Sequence, residues 1–279
     1  MLRLLLCAVF GFYTRGVGAF QGGGIGAVKR PAVSAMRAAN VQEQVPIQPD
    51  RLSEYVTAEN LVDYAKFTRE GEWLNAVLED VKKTDQGALP SAADRNAFLI
   101  NAYNIWTIKW VLKERQNRRW KGHLGFLDKA RFFYLHKITV SGRRTNLYNF
   151  ENKDIRPVVG DARVHFALNC AGFSCPPLRR SLYTGSNLDA ELDEVTQAAV
   201  NGGATVQRQP DGSLLVNPIF KWYEQDFAQD GGILGFVQKH WRGDQPIPNG
   251  TAVKFFEYDW RVNAADAPWA DRALGGPAP

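Results

Sequence analysis

From Ser91 to about Arg115 the chain sets apolar side chains on almost every face of the helix it would form. A helix of that kind has no solvent side, so the remainder of the chain must wrap around it. Ser91 supplies an oxygen where the first unpaired amides of that helix would point. The most apolar stretch, residues 97–112, is interrupted by Asn101, Asn104 and Lys109. That marks a core helix and not a membrane span, which needs about 20 uninterrupted apolar residues.

Around this helix the periodicity changes in blocks. Apolar residues between Tyr55 and Val81 recur at spacings of three and four, which predicts two helices broken near Gly71. Residues 87–90 form a turn. From Phe132 the pattern predicts strand, with residues 137–140, a Ser141-Gly142 turn and a return over 143–147. A short helix is predicted from Asn149, ending before Pro157. A further helix over 188–200 stops at Asn201-Gly202-Gly203, and residues 205–216 form a hairpin around Pro210-Asp211-Gly212. Helices over 219–227 and 234–241 and a last strand over 253–258 complete the pattern. Blocks of helices and strand pairs without strict alternation predict an α+β fold, with helices packed on small antiparallel hairpins in a single domain. That domain covers residues 46–264, and residues 265–279 form a loose tail rich in Ala, Pro and Gly.

Charge separates this domain from what precedes it. The formal net charge is +5, but residues 1–40 hold five basic side chains and no acidic one. Removing those five leaves 29 Lys plus Arg against 29 Asp plus Glu. A neutral body lacks the broad positive surface that phosphate backbones require, so no nucleic-acid partner is expected. The N-terminus reads as a basic start at Arg3, an apolar run over 4–12 and small residues up to Ala19, the order of a signal peptide over residues 1–19. Residues 20–45 form a second, acid-free segment of transit-peptide character and a linker. Together the two parts resemble the two-part plastid addresses of algae with secondarily acquired plastids. Plain secretion or residence in an endomembrane lumen is the alternative. No stable membrane anchor is expected after cleavage. Asn249-Gly250-Thr251 is a glycosylation acceptor if the chain enters that route.

The residues with most chemical potential lie in His165-Phe-Ala-Leu-Asn-Cys-Ala-Gly-Phe-Ser-Cys-Pro-Pro-Leu178. Two prolines after Cys175 suit the first turn of a helix, which would set its sulfur at a positive helix end and favour the thiolate. His165 could then accept the thiol proton. The alternative makes Cys170 and Cys175 small buried residues and His165 a satisfied core histidine. Zinc held by His165, Cys170 and Cys175 is a third arrangement, but the spacing fits no standard site and no fourth ligand is evident. No metal and no cofactor are therefore expected, and no glycine-rich phosphate loop or Gly-x-Ser-x-Gly elbow is present. Glu224 and Asp226 are two residues apart and diverge on a helix, which makes a paired acid and base role weak. Asn101, Tyr103, Asn104 and Arg179 are candidates for contact with substrate, although the two asparagines would otherwise tie down neighbouring loops.

Three segments then point in one direction. Arg-Asn-Ala-Phe-Leu-Ile-Asn-Ala-Tyr-Asn over 95–104, the segment 165–178, and Phe-Lys-Trp-Tyr-Glu-Gln-Asp-Phe over 220–227 resemble, in that order, the domain of unknown function 547 family. The resemblance implies a shared fold and a set of candidate positions, with no settled activity. Members of that family usually carry Glu-His in the short helix after the hairpin, where this chain has Glu151-Asn152. If the family reaction used that histidine, His165 would be the remaining imidazole. The resulting expectation is a thiol-dependent hydrolase or transferase with Cys175 as nucleophile, His165 as base and Glu151 orienting the site, acting on a small-molecule or protein partner. The alternative is a non-catalytic protein-interaction or scaffold module.

Overall fold

Ser91 caps the central helix as its position in the sequence predicts. In the computed structural model its hydroxyl accepts from the Asp94 amide, and α3 (Ala92–Arg115) runs from there, with α1 (Tyr64–Arg69) and α2 (Glu72–Lys83) before it. The structure describes residues 49–117, 120, 122 and 125–267. These fall in one unit, residues 47–279. The signal-like segment 1–19, the transit-like segment 20–45 and most of the tail lie outside the described residues. Among the described residues no helix is long and apolar enough to cross a membrane.

The apolar face of α2, with Trp73, Leu74, Val77, Leu78 and Val81 buried, packs on α3, where Leu99, Ile100, Ala102, Ile105 and Val111 are almost wholly buried. Gly71 caps α2 and separates it from α1, the predicted break. Residues upstream of α1 differ from expectation: Pro49–Glu54 is a 3-10 turn and Val56 bridges Val62, so Leu52 and Tyr55 enter the core without a long helix.

A second departure follows α3. Residues predicted as strand from Phe132 are helical: α4 (Phe126–Ala130) passes into a π-helical turn, Arg131–Leu135. Phe132 is fully buried, and the buried Glu114 of α3 pairs with both Arg131 and His136 from that turn. Tertiary burial and this charge cluster thus override the local β-pattern of Phe-Phe-Tyr. The hairpin then forms as predicted, β1 (Ile138–Val140) antiparallel to β2 (Arg143–Thr145), with Ile138 opposite Thr145. Trp106 Nε1 of α3 donates to Thr139 O at 3.1 Å and fixes the hairpin to the central helix.

The helix after β2 does not end before Pro157. α5 (Leu147–Asn149), a π-helical turn Phe150–Ile155 and α6 (Arg156–Val159) follow one another without a break. The π turn shifts the hydrogen-bonding frame so that Pro157 falls in the first turn of α6, where its missing N–H costs nothing. Gly160 at φ +62° ends the run.

α7 (Leu188–Asn201) is followed by β3 (Val206–Arg208) and β4 (Leu214–Val216), then α8 (Ile219–Trp222), a 3-10 turn Glu224–Asp230, α9 (Gly232–His240) and β5 (Val253–Phe255). β3 and β4 are antiparallel, while β5 adds to β4 in parallel, with Val216 opposite Phe255. Phe166, Phe220, Phe227 and Phe236 fill a second core under this sheet. The fold is α+β, with more helix than sheet.

Candidate active site

The segment 165–178 has little regular structure of its own, so side-chain amides build it. Asn104, on the buried α3, donates to Ala167 O and accepts from Asn169 N, both at 2.9 Å. Asn169 in turn accepts from Ala171 N at 2.9 Å and donates to Pro176 O at 2.8 Å, clasping the two ends of the cysteine loop. Ala171, between them, is fully buried at φ +62°, a conformation that costs a residue with a Cβ about 1 kcal/mol. The next residue, Gly172, packs closely, because a Cβ there would stand 3.3 Å from the Tyr258 ring.

Within that loop the two sulfurs share one hydrogen-bonded group. Cys175 Sγ accepts from the Cys170 amide at 2.8 Å and has Leu168 O at 3.7 Å. Cys170 Sγ lies 3.2 Å from the Tyr258 hydroxyl. Both cysteines are free and partly exposed. The arrangement divides them electrostatically. The Cys175 hydrogen bond lowers the Cys170 pKa, burial opposes it, and the Tyr258 and Gly172 donors restore a net lowering. Burial pushes the Cys175 thiol well above its ordinary value, and the neighbouring Cys170 sulfur adds to this. The expected helix start after Cys175 is absent: the next regular element is the 3-10 turn Gly185–Asn187, so no helix end faces its sulfur. The directions of these two shifts favour proton loss at Cys170 before Cys175.

His165 faces a different partner. Its Nε2 lies 2.8 Å from Asp226 Oδ2, and Arg156 donates to both oxygens of the same carboxylate at 2.7 and 2.8 Å. Burial raises the Asp226 pKa, but the bonds from His165 and Arg156 outweigh it and hold the carboxyl far below the usual range. With Nε2–H donating to the Asp226 carboxylate, Nδ1 is the ring nitrogen left to exchange a proton. Among the described residues no hydrogen bond joins His165 to either cysteine.

Tyr223 and Glu151 lie between these two groups. His165 stacks on the Tyr223 ring with centroids 4.1 Å apart, and Arg156 sits 4.8 Å from the same ring. The Tyr223 hydroxyl donates to Glu151 at 2.5 Å and Tyr103 to the other oxygen at 3.1 Å. Burial first, and the Glu151 charge second, push both phenols well above their ordinary value, so both stay donors. Cys170 is close enough to Glu151 to feel its charge.

Of the other candidates, Asn101 donates to Tyr183 O and accepts from Tyr183 N, so its amide holds a loop. Asn104 is used in the same way. Arg179 pairs with Glu191 and Glu194 of α7. Asn152, where the resemblance implies a histidine, accepts from Arg156 and donates to Tyr148 O. Sequence reasoning gave Cys170 no catalytic role, did not single out Tyr258, and discounted Asp226 because only its spacing from Glu224 was weighed. Among the described residues no group of three or more His, Cys, Asp or Glu side chains could hold a metal ion. A surface hollow of about 420 Å³, lined by Gln238, Trp241, Gly243, Asp244, Pro246, Ile247 and Asn249, contains no thiol or imidazole.

No curated protein and no solved structure matches the chain. One family model does match, over the stretch that contains α3, the hairpin, Glu151 and the whole cysteine loop. Residues 89–198 match the model of the family described as "Protein of unknown function, DUF547".

Proposed function

We propose that the domain is a thiol-dependent hydrolase or transferase, with Cys170 as the attacking sulfur, Cys175 as its hydrogen-bonding neighbour and the His165–Asp226 pair as the proton-handling group. The observation that carries this reading is one partly exposed sulfur, Cys170 Sγ, 3.2 Å from the Tyr258 hydroxyl and in the same loop as Cys175 Sγ, which accepts from the Cys170 amide. A hydroxyl donor favours a thiolate, which is the nucleophilic form.

The chemistry is acyl transfer. The Cys170 thiolate attacks a carbonyl carbon, an S–C bond forms, and the alcohol, thiol or amine of the substrate leaves. Water or a second acceptor then takes the acyl group and regenerates the thiolate. Burial keeps the Tyr258 hydroxyl protonated, so it remains a donor as charge moves from sulfur to the carbonyl oxygen. His165, oriented by Asp226 and by its stack on Tyr223, is the base for the incoming water or acceptor. Tyr103 and Tyr223 hold Glu151 between the two groups.

The test uses the full chain and an activated ester such as p-nitrophenyl acetate. The expected result is a burst of about one equivalent of nitrophenol, slower turnover, and an acetyl mass on Cys170 in the trapped intermediate. Cys170→Ser should remove both. Acetylation confined to lysines, or a burst unchanged in Cys170→Ser, contradicts the reading.

A further inference from the structure

We infer that Cys170 and Cys175 form a reversible disulfide, which makes the pair a redox-modification site that closes when a disulfide oxidant is present. Cys175 Sγ already reaches back to residue 170, accepting from the Cys170 amide nitrogen at 2.8 Å. The intervening backbone turns back on itself through the left-handed Ala171 and through the Cys175 N–H bond to Gly172 O at 3.0 Å. The Asn169 clasp, bonded to Ala171 N on one side and Pro176 O on the other, holds the two ends together. The chain path thus already folds residue 175 back onto residue 170, the approach that a disulfide requires.

The two thiols also have different parts to play. Cys170 carries the donors that favour thiolate and is the attacking sulfur, while Cys175 stays protonated until a mixed disulfide forms. With glutathione disulfide as oxidant, the Cys170 thiolate attacks one sulfur, the S–S bond of glutathione breaks and one glutathione thiolate leaves. Cys175 then attacks the Cys170 sulfur, its proton goes to the second glutathione as that leaves, and the protein disulfide forms. Two protein thiols lose two electrons and one glutathione disulfide becomes two thiols. Loss of the Cys170 thiolate would switch off the acyl chemistry, and only that consequence rests on the function proposed above.

The experiment exposes the reduced full chain to glutathione disulfide, quenches with N-ethylmaleimide under denaturing conditions and maps the peptides. The chain has three cysteines, the third being Cys7. The expected product links Cys170 to Cys175 within one peptide, and dithiothreitol restores both thiols. Cys175→Ser should stop at a glutathione adduct on Cys170. Cys170→Ser should slow the reaction of Cys175 with glutathione disulfide at least tenfold. A wild-type chain that keeps both thiols free, or carries a lasting adduct with no internal link, overturns the inference whatever the variants do. If the link forms but no acyl adduct appears on the reduced chain, the redox site stands and the acyl-transfer reading fails.

Discussion

His165 and Asp226, 61 residues apart in the chain, meet at 2.8 Å beneath the second aromatic core, and Arg156 closes the same carboxylate from the other side. One acidic group therefore fixes an imidazole and joins the 3-10 turn at Ala162–Phe166 to α6 and to the turn after α8.

Replacing Asp226 by Asn removes the charge that balances Arg156 and orients His165. Because the carboxylate is partly exposed, the expected cost is about 1–3 kcal/mol, below that of a wholly buried pair. The pH dependence has a definite sign. The folded-state pKa is depressed below the ordinary 3.8, so the stabilisation is complete above that value and is lost as pH falls through the lower folded value. Urea midpoints of the wild type and Asp226→Asn should differ most at pH 6 and converge in strong acid. A difference that grows on acidification would contradict the pairing.

The Asn104–Asn169 relay has a separate consequence. Asn104→Ala leaves the Asn169 amide and the Ala167 carbonyl without partners in a buried place, at an expected cost of about 2–4 kcal/mol. Hydrogen exchange should speed up in residues 165–178 ahead of the rest of the fold. Equal acceleration throughout the chain would show that Asn104 supports the core and not the loop in particular.

The start of α3 can be tested by coupling. Ser91→Ala should cost about 1 kcal/mol by removing the cap on Asp94. A Cβ on Gly185 would fall 1.9 Å from Asp94 Oδ1 and 2.7 Å from its Cα, so Gly185→Ala displaces the same residue at about 1–3 kcal/mol. The double variant should lose less than the sum, because both changes act on Asp94. Strict additivity in thermal melts would mean that the two sites are independent.

Tyr258→Phe isolates one donor to the reactive sulfur. Removing a hydrogen bond to a thiolate, worth about 1.5 kcal/mol or more, should move the pH midpoint of Cys170 alkylation up by about one pH unit. An unchanged midpoint would exclude Tyr258 from stabilising that charge.

Much of the scaffold is legible in the sequence because its causes are local. Ser91 and the all-round apolar pattern define α3, Ser141-Gly142 and Pro210-Asp211-Gly212 define hairpins, and Asn201-Gly202 ends α7. The departures are non-local. Phe132 stays helical because it enters the core and its neighbours pair with Glu114, and Pro157 is accommodated by a π turn that no spacing announces. β5 returns parallel to β4, against a pattern that suggested hairpins alone. In the candidate site, the sequence isolates the cysteine loop and His165 but not their hydrogen-bond partners: Asp226 and Tyr258 lie 61 and 88 residues away from His165 and Cys170. The prolines after Cys175 suggested a helix start, and the segment is instead held extended by Asn169 and by the core contact of Leu178.

The most direct test of the account measures alkylation of each thiol against pH, with residue-resolved mass analysis of the reduced full chain. Cys170 should react first, with a midpoint below the ordinary thiol value of about 8.5, while Cys175 reacts only at higher pH. A Cys170 midpoint at or above that value, or prior reaction of Cys175, would contradict the assignment of Cys170 as the reactive sulfur.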